Sequence, residues 1–325
     1  MALVYMNGFE SQNSAEIPIG LFANNGRYGS GYSWQIVANN NGFFFIPIYS
    51  NLTQFTAGLA ILRNNSWSVA SNIVTFSSNT GDNIRLASTV TNGLQLIQGS
   101  TTIYETAPGF LVNNAWYYFE LSCVLATGAT GSWELRVNGQ TLGSGSSVRT
   151  AGTNVSFTQI GINRGSQTMY TDDIYVDDTA GQFKGEVSII GLTPNGNGTY
   201  SQLTGSDGNS TDNYLLVDDV PASSADYVGS ATDGQKDTYA FTNLPSGTGN
   251  IIAVRPLFNA AKSNANIKKY RAVMRSGGVD QTGSDFFLGG TYAESGQIFT
   301  QSPFTASDWT ESEINGMEVG FEVRS

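Results

Sequence analysis

The sequence predicts an all-β protein built as two antiparallel sandwiches, the second carrying one short helix. Three observations carry that prediction. Apolar and polar residues alternate with a period of two in segment after segment, so each segment turns one face to a core, because successive side chains leave a strand on opposite sides. Clusters of Asn, Gly and Ser recur about every 8–12 residues, the turn spacing of a sandwich. Of 325 residues, 38 are glycine, 12% are aromatic and only 13% are charged. That aromatic content gives the chain enough to bury, which argues against disorder. The length suits one large or two ordinary domains.

In chain order, Leu3 to Met6 reads as an edge strand before a turn at Asn7-Gly8. A glycine-rich loop, NNGRYGSGY, precedes the strand WQIVA. The apolar run Phe43-Phe44-Phe45-Ile46 suits a core strand covered on both sides. AGLAILRN, SVASNIVTFSS, IRLASTVT, GLQLIQGS and TIYETA continue the pattern to residue 112. The centre of the first domain is WYYFELSCVL and SWELRVNGQTL, from Trp116 to Leu142. Tyr117, Phe119, Leu121, Cys123 and Leu125 share one face, as do Trp133, Leu135 and Val137. Asn138-Gly139 then supplies the positive φ values of a type I′ turn. Gly143 to Ser147 reads as a mobile loop, and NVSFTQIGIN and DDIYVDD complete domain 1–180.

Residues 181–213, rich in Gly, Asn, Ser and Thr, read as a connector with one short strand, Val187 to Gly191. Domain 214–325 has strands at TYAFT, NIIAVRPLFNAA, KKYRAVMRS, DFFLGGTY and MEVGFEV. Its helix is signalled by the capping box Thr310 and Glu313 and by the staple pair Trp309 and Ile314. Gly316 keeps that helix short.

Composition excludes several function classes. A net charge of −11 disfavours nucleic acid as partner, since phosphate binding needs a basic face. The chain has no histidine and one cysteine, so there is no Ser-His-Asp or Cys-His pair, no histidine metal site and no internal disulfide. Cys123 lies on an apolar face and reads as a small buried hydrophobe. No basic region followed by an apolar run opens the chain, and no segment approaches about 18 apolar residues. The expectation is a soluble chain without signal peptide, transmembrane segment or membrane partner.

The strands WYYFEL and WELRVNGQTL, with FTQIGIN and YTDDIYVDD after them, resemble the later strands of a concanavalin A-like (laminin G-like) jelly roll found in structural proteins of tailed bacteriophages. YMNGFES resembles its start. The segment from FKGEVSIIGL through DGQKDTYAF is similar to the region C-terminal to the lectin-like domain in those phage proteins. The resemblance implies a virion protein assembled in the host cytoplasm, a tail appendage or capsid decoration. Its adhesive role would be towards host surface glycan or other virion proteins, the alternatives being first a structural cement with no ligand and second a carbohydrate-degrading enzyme.

Glucanases of the concanavalin A-like fold carry Glu-x-Asp on one strand, which sets an acid and a nucleophile on the same face. No Glu here has Asp two residues on, and Glu120 and Glu134 each stand alone on an outward face. A non-enzyme is therefore expected. Asp172, Asp173, Asp177 and Asp178 bracket a strand. They read either as hard ligands for calcium, the one candidate cofactor, or as turn and strand-end hydrogen-bonding groups; the resemblance makes the 172–173 pair a structural signature. Tyr28, Tyr32 and Trp34 read as a sugar-stacking surface, with Asn24, Asn25 and Asn39 to Asn41 as hydrogen-bonding groups, or as rim packing. Arg255, Lys262, Lys268, Lys269, Arg271 and Arg275 read as edge protection or as a docking surface for acidic neighbours. A homo-oligomer is expected on that surface, a trimer before a dimer.

Overall fold

A computed structural model describes residues 2–13, 21–29, 31–36, 43–64, 66–78, 81–163 and 168–325. The chain divides into two compact units, residues 1–10 with 17–189 and residues 11–16 with 190–325. Almost all of the regular structure is antiparallel strand.

The first unit's strands are β1 (Leu3–Asn7), β2 (Leu21–Ala23), β3 (Ser33–Ile36), β4 (Phe43–Leu52), β5 (Gln54–Arg63), β6 (Ser71–Ser78) and β7 (Gly81–Ser88). They continue with β8 (Leu94–Gln98), β9 (Thr101–Glu105), β10 (Trp116–Val124), β11 (Gly131–Val137), β12 (Gln140–Val148), β13 (Phe157–Asn163) and β14 (Met169–Asp177). One sheet runs β12-β11-β10-β5-β14-β3-β2, the other β4-β13-β6-β7-β8-β9. The alternation in β10 turns Phe119, Leu121 and Cys123 inward. Between the sheets, Phe55 packs on Phe76 and Phe157, with ring centroids 5.4 and 4.3 Å apart. Trp34 meets Phe44 edge-on at 4.9 Å, a favoured aromatic geometry. Asn138 and Gly139 take φ values of 49° and 74°, as the hairpin requires.

One irregularity places the site. β14 lies along β5, but its register shifts between Asp172 and Tyr175, a bulge with Asp173 at φ 52°. On its other side Met169 to Thr171 pair with β3, and Ile174 to Asp177 pair with β1. The bulge therefore opens at the fork between β1 and β3, where a bulge can re-aim side chains.

Three expectations change here. Gly143 to Ser147 belong to β12, paired with β11, because the rings of Tyr104 and Trp133 lie over Gly143 and Gly145. Phe43 to Ile46 are not covered on both sides. β4 is an edge strand, with Phe44, Ile46 and Ile48 buried and Phe45 exposed. No strand forms at 187–191.

The second unit contains β15 (Pro194–Ser201), β16 (Thr204–Gly205), β17 (Val228–Gly229), β18 (Lys236–Phe241), β19 (Phe258–Ala260), β20 (Lys269–Ser276), β21 (Val279–Phe287), β22 (Ala293–Ser295), α1 (Glu311–Gly316) and β23 (Glu318–Arg324). β15 and β16 thus lie within the stretch 181–213. The main sheet runs β15-β18-β23-β20-β21. Over one face sit the β19–β22 ladder and α1. Phe258 meets Tyr270 and Phe321 at 5.4 and 6.0 Å, while Trp309 and Ile314 join Met274 and Val319 in an apolar cluster. The N-cap half of the capping box forms, with Thr310 Oγ1 accepting from the Glu313 N–H at 3.2 Å. The Glu313 carboxylate instead accepts the hydroxyls of Thr310 and Ser302.

Candidate functional site

At the β14 bulge the chain assembles a charged cluster from four separate segments. Asp172 Oδ2 accepts the backbone N–H of Arg27 at 3.0 Å, and its other oxygen accepts the N–H of Asp173 at 2.8 Å. This pins the glycine-rich loop between β2 and β3. The Arg27 side chain is buried beside Asp173 at 3.7 Å and donates to the Val187 carbonyl at 3.1 Å. It also pairs with Glu186. Its guanidinium lies over the rings of Tyr118 at 4.5 Å and Tyr28 at 4.9 Å, a planar group doing what an ammonium would do less well. Glu10, from the turn after β1, accepts the Tyr32 N–H at 3.2 Å.

Three carboxyls of this cluster, shielded from water to different degrees, hold protons more tightly than usual. Burial pushes Glu10 up to about 7, against the Tyr32 N–H and helped by the Asp173 charge. Burial also raises Asp172 and Asp173, Asp172 further because Asp173 repels its charge. Asp173 is held back by the Ile189 N–H and Arg27. Burial raises the Tyr28 hydroxyl too, although the residue is 61% exposed. The result is a solvent-facing ring on a loop fixed from beneath.

The sequence-derived sugar surface therefore splits. Tyr28 is presented to solvent, but Trp34 is a core residue, 1% exposed and packed against Phe9 and Phe44. Its place on a ligand surface is withdrawn, since β3 turns it between the sheets. Tyr32 is half-buried and contributes its backbone to Glu10. Asn25 accepts from the Ser33 hydroxyl at 2.6 Å; Asn39 to Asn41 lie outside the described residues.

The four aspartates do not converge. Asp177 pairs with Lys184 at 3.0 Å, and Asp178 accepts the Ala2 N–H at 2.9 Å and the Thr179 hydroxyl at 2.7 Å. Asp172 and Asp173 are committed to the loop. Carboxylates already facing N–H donors, an ammonium and a guanidinium do not fit a calcium cage. Among the described residues no group of three or more His, Cys, Asp or Glu is arranged to hold a metal.

Three of the six basic residues are compensated within their own sheet. Arg271 meets Glu322 at 3.0 Å, Arg275 meets Asp280 at 2.5 Å and Lys269 meets Asp285 at 3.5 Å. Lys262 and Lys268 donate to the carbonyls of Asn266 and Ala231. Arg255 acts on the Tyr270 hydroxyl by its charge. Neighbouring strands thus carry matching acids for Arg271, Arg275 and Lys269, while among the described residues the charges of Lys262 and Lys268 meet only backbone carbonyls.

Sequence reasoning missed the residues that matter most. Glu120 is not outward and alone. It is buried and accepts the Tyr175 hydroxyl at 2.5 Å and the N–H groups of Lys184 and Gly185 at 3.1 and 2.9 Å. Residues 179–189 form a strap across this face of the sheet. Gly181 donates to Ser122 at 2.7 Å, Ile189 donates to Asp173 at 2.7 Å, and Arg136 stacks on Phe183 at 3.7 Å. Glu134 pairs with Arg136 at 2.8 Å. Cys123 is buried as expected, its thiol pushed up to about 12 by burial. One signal was readable for Arg27: a single charge in an otherwise neutral glycine-rich loop.

No protein-family model and no curated protein sequence matches the chain. Among solved structures it is similar to a cellulose-induced protein, Cip1, at 17% identity over 54% of this chain and 97% of that one, with a TM-score of 0.41. It is similar to an endo-β-1,4-glucuronan lyase from the fungus Trichoderma reesei at 11% identity over 54% and 95%, TM-score 0.38. A carbohydrate-binding module, CBM66 from Bacillus subtilis, gives 14% over 54% and 96%, TM-score 0.34. No residue role is carried over from any of them. They do correct one expectation. The non-enzyme reading rested on a missing hydrolase pair, and lyases stand among these structures, so that absence does not exclude catalysis and the reading is dropped.

Proposed function

We propose that this chain is a glycan-recognition protein whose first unit presents Tyr28 as a contact for sugar. One observation carries the reading: the Tyr28 ring faces solvent while its loop is clamped by Arg27 to Asp172, Asp173 and Glu186. A ring already held in place loses little entropy on stacking, and pyranose C–H groups meet its electron-rich face. The finer reading, a surface adhesin of a tailed-bacteriophage particle, is supported by the motifs between Trp116 and Asp178.

A second reading, cleavage of the bound glycan, is favoured by the carboxyls under the loop. A group such as Glu10, raised to about 7, can hold or release a proton at neutral pH, and such groups gather at reactive sites. A glycan array with the wild-type chain and Tyr28→Ala tests recognition. Binding lost in the variant with an unchanged melting temperature is the expected result, and unaltered binding removes Tyr28 from the site. Incubating each bound glycan with the protein and measuring newly formed chain ends separates recognition from cleavage.

A further inference from the structure

The outer face of β4 has a chemistry that the loop does not use. Phe43, Phe45 and Pro47 alternate with the core residues Phe44, Ile46 and Ile48, so they face away from the sandwich. Phe45 is 44% exposed and Tyr49 83% exposed. Opposite Phe45 in the register is Gly161. A Cβ there would come within 2.7 Å of the Phe45 ring and 3.3 Å of the Phe43 ring. The missing side chain lets both rings lie down on the sheet, with centroids 5.9 Å apart and planes 31° from parallel. Between Pro47 and Leu52 β4 takes five steps (47 to 52) against two of β13 (157 to 159). Tyr49 stands in this bulge.

The floor is flanked by neutral amides. Gln159 and Asn163 face Pro47 and Phe43 across the ladder, each held by a bond from its NH₂ group to β6, at 3.3 Å to Ser77 and 2.6 Å to Asn72. Thr75, opposite Gly161 on the far side, has a buried hydroxyl without a hydrogen-bond partner among the described residues. Flat apolar rings beside uncharged donors and acceptors match a sugar, which offers C–H faces and hydroxyls together.

A second copy of the chain fits less well. Three aromatic side chains bury about 150–250 Å² each when fully covered, below the roughly 800 Å² per partner of a stable interface. Pro47 also interrupts the strand's donors, as edge prolines do. The rings and amides carry no charge, so an anionic sugar gains nothing here. We propose that Phe43, Phe45 and Tyr49 form a second stacking platform, for an uncharged glycan, on the outer face of β4. This rests on the glycan reading above and adds a surface formed by other residues than the Tyr28 loop.

The test is calorimetric titration of the full chain with neutral hexasaccharides of β-1,4-glucan, β-1,4-mannan, β-1,4-xylan and α-1,4-glucan, and with a polyuronate oligomer. At least one neutral hexasaccharide should bind, weakened tenfold or more in Phe45→Ala and in Tyr49→Ala and less than twofold in Tyr28→Ala. Tyr49 is so exposed that its variant should keep the melting temperature, which guards against misfolding of Phe45→Ala. Binding lost only in Tyr28→Ala overturns the platform and leaves the loop reading standing. Binding unaltered in all three variants, or no sugar bound by the wild type, overturns both readings. Binding of the polyuronate alone overturns the platform. A wild-type dimer in light scattering that Tyr49→Ala dissociates assigns the face to a second copy and also overturns it.

Discussion

The two units are stabilised in different ways. In the first, 35 buried residues among those described form one apolar cluster between two sheets, and its principal charges, Arg27, Asp172, Asp173 and Glu120, lie under a loop or a strap. In the second, the apolar cluster has five buried members. The opposite face of its sheet carries ion pairs whose cations are partly exposed, from Lys236 and Arg275 on Asp280 to Arg271 and Arg324 on the buried Glu322. The difference shows that the same charge types have opposite consequences at different depth. Buried, they must be matched in full or they cost stability; half-exposed, they contribute little each and depend on the solvent.

The largest test of this contrast is core truncation. Phe55→Ala should cost about 3–5 kcal/mol and lower only the first of two calorimetric transitions. A common shift of both transitions would mean the units unfold together and would break the comparison. Next comes Arg27→Met, which leaves Asp173 buried without its cation. About 3 kcal/mol is expected, read from denaturant unfolding of the first unit; a change below 1 kcal/mol would show the cluster to be wet.

pH should separate the units. Glu10 keeps its proton in the folded state up to about 7, while the unfolded chain loses it near 4.5. Such a group favours folding while protonated, so the first unit should lose stability as pH rises from about 5 to 8. Asp172 and Asp173, also raised, act in the same direction. In the second unit, burial pushes Asp280 and Glu318 up, but bonds from Lys236, Arg275 and Tyr200, and from Thr199 and Thr238, outweigh it and hold both below the usual range. Their contribution is present above the unfolded carboxylate value near 4 and lost as pH falls below it. In melting temperatures at pH 3, 5 and 8, the first transition should therefore fall from pH 5 to 8 while the second holds. From pH 3 to 5 the second should rise, and in the first Asp178, held low by the Ala2 N–H, acts the same way. The smallest effect is salt. Raising ionic strength to 1 M shortens the screening length to about 3 Å, which should lower the second transition by less than about 1 kcal/mol and leave the first unmoved.

Period-two alternation from Trp116 to Val137 determined which side of β10 and β11 is core, because a strand has only two faces. Asn138-Gly139 determined the hairpin, since few other dipeptides accept two positive φ values, and Thr310 with Glu313 determined where α1 begins. These are local constraints, and local constraints survive in a linear reading. Tertiary structure alone decided the rest. Trp34 looked like a loop aromatic until β3 turned it against Phe44. Glu120 looked solitary until a strap more than sixty residues away donated to it. Phe43 and Phe45 looked like core until β4 took the edge of its sheet. Arg27 acquired its meaning from Asp172 and Asp173, which reach it only because β14 bulges at the fork between β1 and β3. Alternation tells which residues share a face; only the order of strands in the sheets tells what that face meets.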